Sequence, residues 1–100
     1  MIAASTSAGT GSPVPAEVVV ELDRLATRWG QLSLDLAQRQ LPTIRELLDE
    51  LTRRLDNPDV PDLGPRVVMD QLRVLTWDAY AADRSEGVLE LLTGLRARLS

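Results

Sequence analysis

One hundred residues with a net charge of -4 fit a single domain, and the roughly 85 residues that follow the N-terminal stretch are enough for one small core. The chain has no Cys, His or Lys, which removes disulfides, thiolate metal sites, the usual general base and lysine covalent chemistry. All eleven positive charges are Arg, and their only local clusters, Arg53 with Arg54 and Arg96 with Arg98, sit among acids or at the chain end, whereas a nucleic-acid binder needs a concentrated basic surface, so no nucleic-acid partner is expected.

Residues 1–15 are rich in Ala, Ser, Thr and Gly and are expected to form a flexible tail ahead of a bundle domain at 16–100. Pro13 and Pro15 punctuate the entry to a first helix, and Glu17 and Glu21 suit its positive end. Val18, Leu22, Leu25, Trp29, Leu32 and Leu36 then alternate steps of four and three, the pattern of an apolar seam. That seam passes Gly30 without a change of phase and predicts one long helix from about Ala16 to about Gln40; a break at Gly30 with Ser33 capping a new start is the alternative. Pro42 is expected to end or kink this helix, because its ring disfavours α geometry at Leu41.

A second helix is marked by Ile44, Leu48, Leu51 and Leu55, with Leu47 beside them. Its outer face carries Asp49 with Arg53 and Glu50 with Arg54, each pair four residues apart with the acid first. Residues 56–65 hold three prolines, a glycine and several Asx residues and read as a rigid connector. Pro65 is placed to open a third helix running to Ala82, with the seam Val68, Leu72, Leu75, Ala79 and Ala82. Asp83 and Glu86 have capping-box spacing for a last helix, with Ser85 the alternative cap. Its seam is Val88, Leu92, Leu95 and Leu99, with Leu91 alongside. Only Leu32 to Leu36 alternates like a strand, so the expected fold is all-α: a small bundle of four helices with a Leu-rich core and a kink or break near Pro42.

The third helix carries a second stripe, Met69, Arg73, Trp77, Tyr80 and Arg84, and Trp77 and Tyr80 fall on the side away from Leu72. Trp, Tyr, Met and Arg are enriched in interface cores and hot spots, so these five residues are the candidate protein interface. The competing reading makes the third helix central, with both its faces covered by the same chain. A first helix of about 25 residues would span roughly 37 Å, against about 21 Å from Pro42 to Leu55, so part of its seam would be left over for a second copy of the chain.

No catalytic, cofactor or metal residue is predicted. Asp56, Asn57, Asp59 and Asp62 lack the central Gly and final Glu of a calcium loop. Glu46 and Asp49 resemble the first of the two Exx[ED] pairs by which all-α nucleotide pyrophosphohydrolases of the MazG type hold magnesium, but their best counterpart on the third helix is Asp70 with Arg73, where a cation takes the second acid's place. No run approaches the ~20 apolar residues of a bilayer span, and the N-terminus lacks the charged and apolar blocks of a secretion signal, so a cytoplasmic location is expected. Abundant Ala, Val, Leu and Arg beside absent Lys and Phe suggests GC-rich bacterial coding. The expected function is a non-catalytic helical interaction module, an adaptor or accessory subunit that forms a homodimer. The alternatives are a regulatory bundle holding an apolar small molecule in its Leu-rich interior and, behind it, a metal-dependent carboxylate hydrolase.

Overall fold

The computed structural model describes residues 13–56 and 61–99. Residues 1–12 of the expected tail, and Asn57 and Asp59 of the connector, lie outside the described residues. Among the described residues four helices make an all-α bundle: α1 (Ala16–Gly30), α2 (Leu34–Leu55), α3 (Val68–Ala81) and α4 (Val88–Leu99). No described helix is long and apolar enough to cross a membrane.

The expected long first helix is two helices, and the reason is local. Gln31 closes α1 by donating its N–H to the carbonyls of Thr27 and Arg28, and Leu32 donates to Trp29 at 3.1 Å. Ser33 is extended, and its hydroxyl accepts the N–H of Leu36 at 3.2 Å, which caps the positive end of α2. The three residues between the helices occupy about one helical turn of sequence, so the apolar rhythm survives a break that the backbone does not bridge. Leu32 is half-buried and Leu36 is exposed, so the seam ends at Trp29.

Pro42, expected to stop or kink a helix, lies inside α2. Its missing N–H deprives the Gln38 carbonyl of a donor. Pro42 and Gln38 are both exposed, so that carbonyl can turn to water. Across the proline, Ala37, Ile44, Leu47, Leu48 and Leu51 keep one buried face. Burial of that face, at about 25 cal/mol per Å², outweighs a single lost bond.

The other termini are set by backbone geometry. Gly64 adopts φ 91°, and its N–H is taken by Asp62 Oδ1 at 3.0 Å, so Pro65 to Val67 form a turn and α3 begins at Val68 rather than Pro65. Asp83, expected to cap α4, instead ends α3: at φ 57° it donates to the Tyr80 carbonyl at 3.2 Å, and Arg84 donates to the Ala79 carbonyl at 2.7 Å. This is a Schellman closure with Asp in the position usually held by Gly.

The side-chain contacts define the directions of the helices. Arg73 of α3 meets Asp23 of α1, and Trp29 at the end of α1 meets Pro65 just before α3, so α1 and α3 run antiparallel. Arg96 and Leu99 of α4 meet Glu21 and Arg28 in rising order along α1, so α1 and α4 run in the same direction. Arg54 at the end of α2 reaches residues 84 and 86, while Arg45, earlier in α2, reaches Pro61, which also accepts from Gln71 of α3. Hence α2 and α3 point the same way, with Pro61 beside both. The α1–α4 and α2–α3 pairs pack most closely, and the sequence neighbours α1–α2 and α3–α4 touch least. Between the two pairs lies one core built on Leu25, Ile44, Leu48, Leu51, Leu72, Leu92 and Leu95.

Candidate interaction surface

The five residues of the α3 stripe have different fates, and their angular positions explain why. Taking about 100° per residue, Val68, Leu72, Leu75, Thr76 and Ala79 form the inner arc, while Asp70, Val74, Trp77 and Ala81 form the outer one. Met69 and Tyr80 lie at the edge of the inner arc. Met69 is buried in the core, and Tyr80 is half-buried against it. Burial, and then the charges of Glu17 and Glu90, push the Tyr80 phenol above its ordinary value of 10.0.

Arg84 is used within the chain. Its Nη1 donates to the Arg54 carbonyl and lies 3.5 Å from an Asp56 carboxylate oxygen. In return, Arg54 Nη1 donates to the carbonyls of Arg84 and Glu86. Each guanidinium thus caps carbonyls of the other's segment, and Arg84 places a positive charge at the negative end of α2. Glu50 accepts from Arg54 Nε at 2.9 Å and from Arg53 Nη2 at 2.8 Å, which steadies the clamp. Hydrogen bonding to Arg54, then to Arg53, holds the Glu50 carboxyl below its ordinary value.

Trp77 and Val74 remain on the outside, 45% and 60% exposed. Arg73 borders them on the α1 side, its Nη2 3.0 Å from Asp23 Oδ1. Shallow depressions flank Val74: one is bounded by Asp70, Gln71, Val74 and Leu75, the other by Arg73, Val74 and Trp77. The α1 residues Val19 and Val20 are also exposed. Val19 is one turn from Asp23, as Trp77 is from Arg73, and the antiparallel helices bring both to the same side of that ion pair. The surface therefore keeps two of the five candidate residues, Arg73 and Trp77, and adds Val74 and Val19. Val74 was findable from sequence, since it sits three residues from Trp77 on an outward arc where a helix is normally polar.

The acids considered for metal binding have partners of their own or lie apart. Glu46 Oε1 is 3.7 Å from Arg98 Nη1, and among the described residues no group of three or more Asp and Glu side chains is placed to hold a metal ion. Compared with known proteins, the chain matches no family model, no curated protein and no solved structure. A functional reading rests on the surface itself.

Proposed function

We propose that this chain is a non-catalytic helical interaction module, an adaptor or accessory subunit acting in the cytoplasm, and that it associates with itself through the outer face of α3. One observation carries the reading: Trp77 and Val74 stand adjacent and largely exposed on a helix whose opposite face already fills the core. Holding apolar area in water forgoes about 25 cal/mol per Å², which a solvated side chain would avoid at those positions. A tryptophan beside an arginine is also the composition of a binding hot spot.

Size-exclusion chromatography with light scattering over a range of concentrations tests the reading. The wild-type chain should show a concentration-dependent dimer. Trp77→Ala should abolish it while the helical circular dichroism stays unchanged. A monomer at the highest concentration removes self-association. A variant that unfolds would place Trp77 among the residues that hold the fold.

A further inference from the structure

We propose that the turn at residues 31–33 is a hinge and α1 an exchangeable arm. When α1 undocks, the turn straightens, α1 and α2 become one helix, and two chains swap their first helices. Exchange of an identical element makes a dimer without any new surface, so the inference does not depend on the outer face of α3. Its contacts are those that α1 already makes within the chain. There α1 packs mainly on α4, then on α3, and touches its own α2 least. Glu21 and Arg28 meet Arg96 and Leu99 of α4, Asp23 meets Arg73 of α3, and Trp29 meets Pro65. Each of these ties α1 to a residue beyond α2, so each forms equally well with the partner's copy of that residue.

The hinge is close to helical already. Gln31 has φ -84° and ψ -13°, and its N–H still reaches the Thr27 carbonyl, as in a continuing helix. Leu32 donates one residue short, to Trp29, in the manner of a 3₁₀ turn. Ser33, at φ -62° and ψ 158°, needs a change of ψ alone to take α geometry. A straight helix returns Leu32 and Leu36 to the seam of Leu22, Leu25 and Trp29, whereas in the closed chain Leu32 is half-buried and Leu36 is exposed. Within one bundle, α1 and α2 are joined by three residues, a reach of at most about 14 Å. The two straight helices therefore pass within that distance where they cross between bundles, which brings Leu32 and Leu36 of the two chains together. Against this, the Ser33 hydroxyl caps α2 only while the break exists, and so favours the closed chain. Exchange then belongs to chains that refold at high concentration, where short turns of this kind favour it.

The test uses full chains carrying Trp77→Ala, so that the outer face of α3 plays no part. Each is unfolded in urea, refolded at micromolar and at millimolar concentration, and read by light scattering. The millimolar sample should contain a dimer that survives dilution, because α1 must unfold from its partner to leave. Ser33→Ala removes the cap at both hinges and should raise the dimerisation constant at least about tenfold. Leu34→Pro should lower it at least about a hundredfold with the helical circular dichroism kept. Proline suits the first position of α2 and the extended Ser33 before it, but in a continuous helix it lacks an N–H and collides with the Gly30 carbonyl. Should Leu34→Pro lose its helical signal, insertion of Gly-Gly-Ser after Leu32 relaxes the turn and should suppress the dimer in its place. Exchange itself is read by cross-linking in a chain otherwise free of cysteine. Asp23→Cys chains refolded with Arg73→Cys chains should join to each other through a short bismaleimide, since those positions adjoin where α1 meets α3. Adding Leu34→Pro to both should prevent it. A Ser33→Ala chain that refolds only to monomer overturns the hinge, and so does a dimer that ignores both Leu34→Pro and the insertion or fails to cross-link. The outer-face reading is judged separately, on wild type against Trp77→Ala before any unfolding.

Discussion

The chain's two tryptophans occupy opposite situations. Trp29 closes the end of α1 and is 8% exposed. Its ring joins the core, and its Nε1–H donates to the Pro65 carbonyl at 2.7 Å, tying the end of α1 to the turn that precedes α3. Trp77 sits in mid-α3 at 45% exposure. Both lie on apolar stripes of helical period, so residue type and local spacing do not separate them. Phase does: Trp29 shares the arc of Leu22 and Leu25, whereas Trp77 is about 140° from Leu72. A large aromatic side chain in this bundle is buried when its arc agrees with the core and exposed when it does not.

The largest expected effect tests that division directly. Trp29→Ala should cost about 3–5 kcal/mol in urea unfolding, a large share of the 5–15 kcal/mol typical of a domain. Trp29→Phe keeps much of the ring but leaves the Pro65 carbonyl without its donor, and should cost about 1–3 kcal/mol. Trp77→Ala should change monomer stability by less than about 0.5 kcal/mol while removing association. If the two alanine variants cost the same, α3 has no free face, and the contrast between the tryptophans fails.

The inner seams of all four helices were legible from spacing, because Val18, Leu22 and Leu25, Ile44, Leu48 and Leu51, Val68, Leu72 and Leu75, and Val88, Leu92 and Leu95 each keep the rhythm that burial on one helical face requires. The break between Gly30 and Ser33 was not legible as the preferred reading, since a gap of one turn leaves that rhythm intact. Passage of α2 through Pro42 depends on its lying away from the core, which only the packed neighbours decide. Long-range polar contacts leave no periodic trace: Arg84 is exposed, as its place on the stripe suggests, but spacing gives no sign that its guanidinium donates to the Arg54 carbonyl, thirty residues away in sequence. The stripe itself was visible. Its division into Met69 and Tyr80 inside and Trp77 outside rests on arc differences of about 60–80°, and which neighbours fill those arcs follows from the directions of α1, α2 and α4.

The two faces of α3 sharpen the comparison with a smaller effect. Its outer face holds an indole in water, and its inner face holds a hydroxyl in the core: Thr76 is fully buried, and its Oγ1 has no hydrogen-bond partner among the described residues. Thr76→Val keeps the branched shape and removes the unpaired oxygen, so it should stabilise the fold by about 1 kcal/mol, read as a higher urea midpoint at unchanged m. A loss of stability instead would mean that the hydroxyl finds a bond in the packed interior.

The smallest effect belongs to contacts that are made but lie in water. Glu50 accepts from Arg53 and Arg54 at the end of α2, and those bonds hold its carboxyl below the 4.5 it has when unperturbed. A carboxyl depressed by folding stabilises the protein fully above its unfolded value, and the benefit fades as the pH falls through the folded value. Its side chain is 36% exposed, so the contribution is a few tenths of a kcal/mol rather than the figure an unscreened shift would imply. Glu50→Gln should therefore lie slightly below wild type in stability near neutral pH. The gap should narrow below 4.5 and close in stronger acid, as followed by thermal melts across the range. A gap that persists in strong acid would mean that Glu50 acts by shape, holding Arg54 against the carbonyls of Arg84 and Glu86 whatever its charge. In that case the clamp would belong with Trp29, among the contacts on which the fold depends.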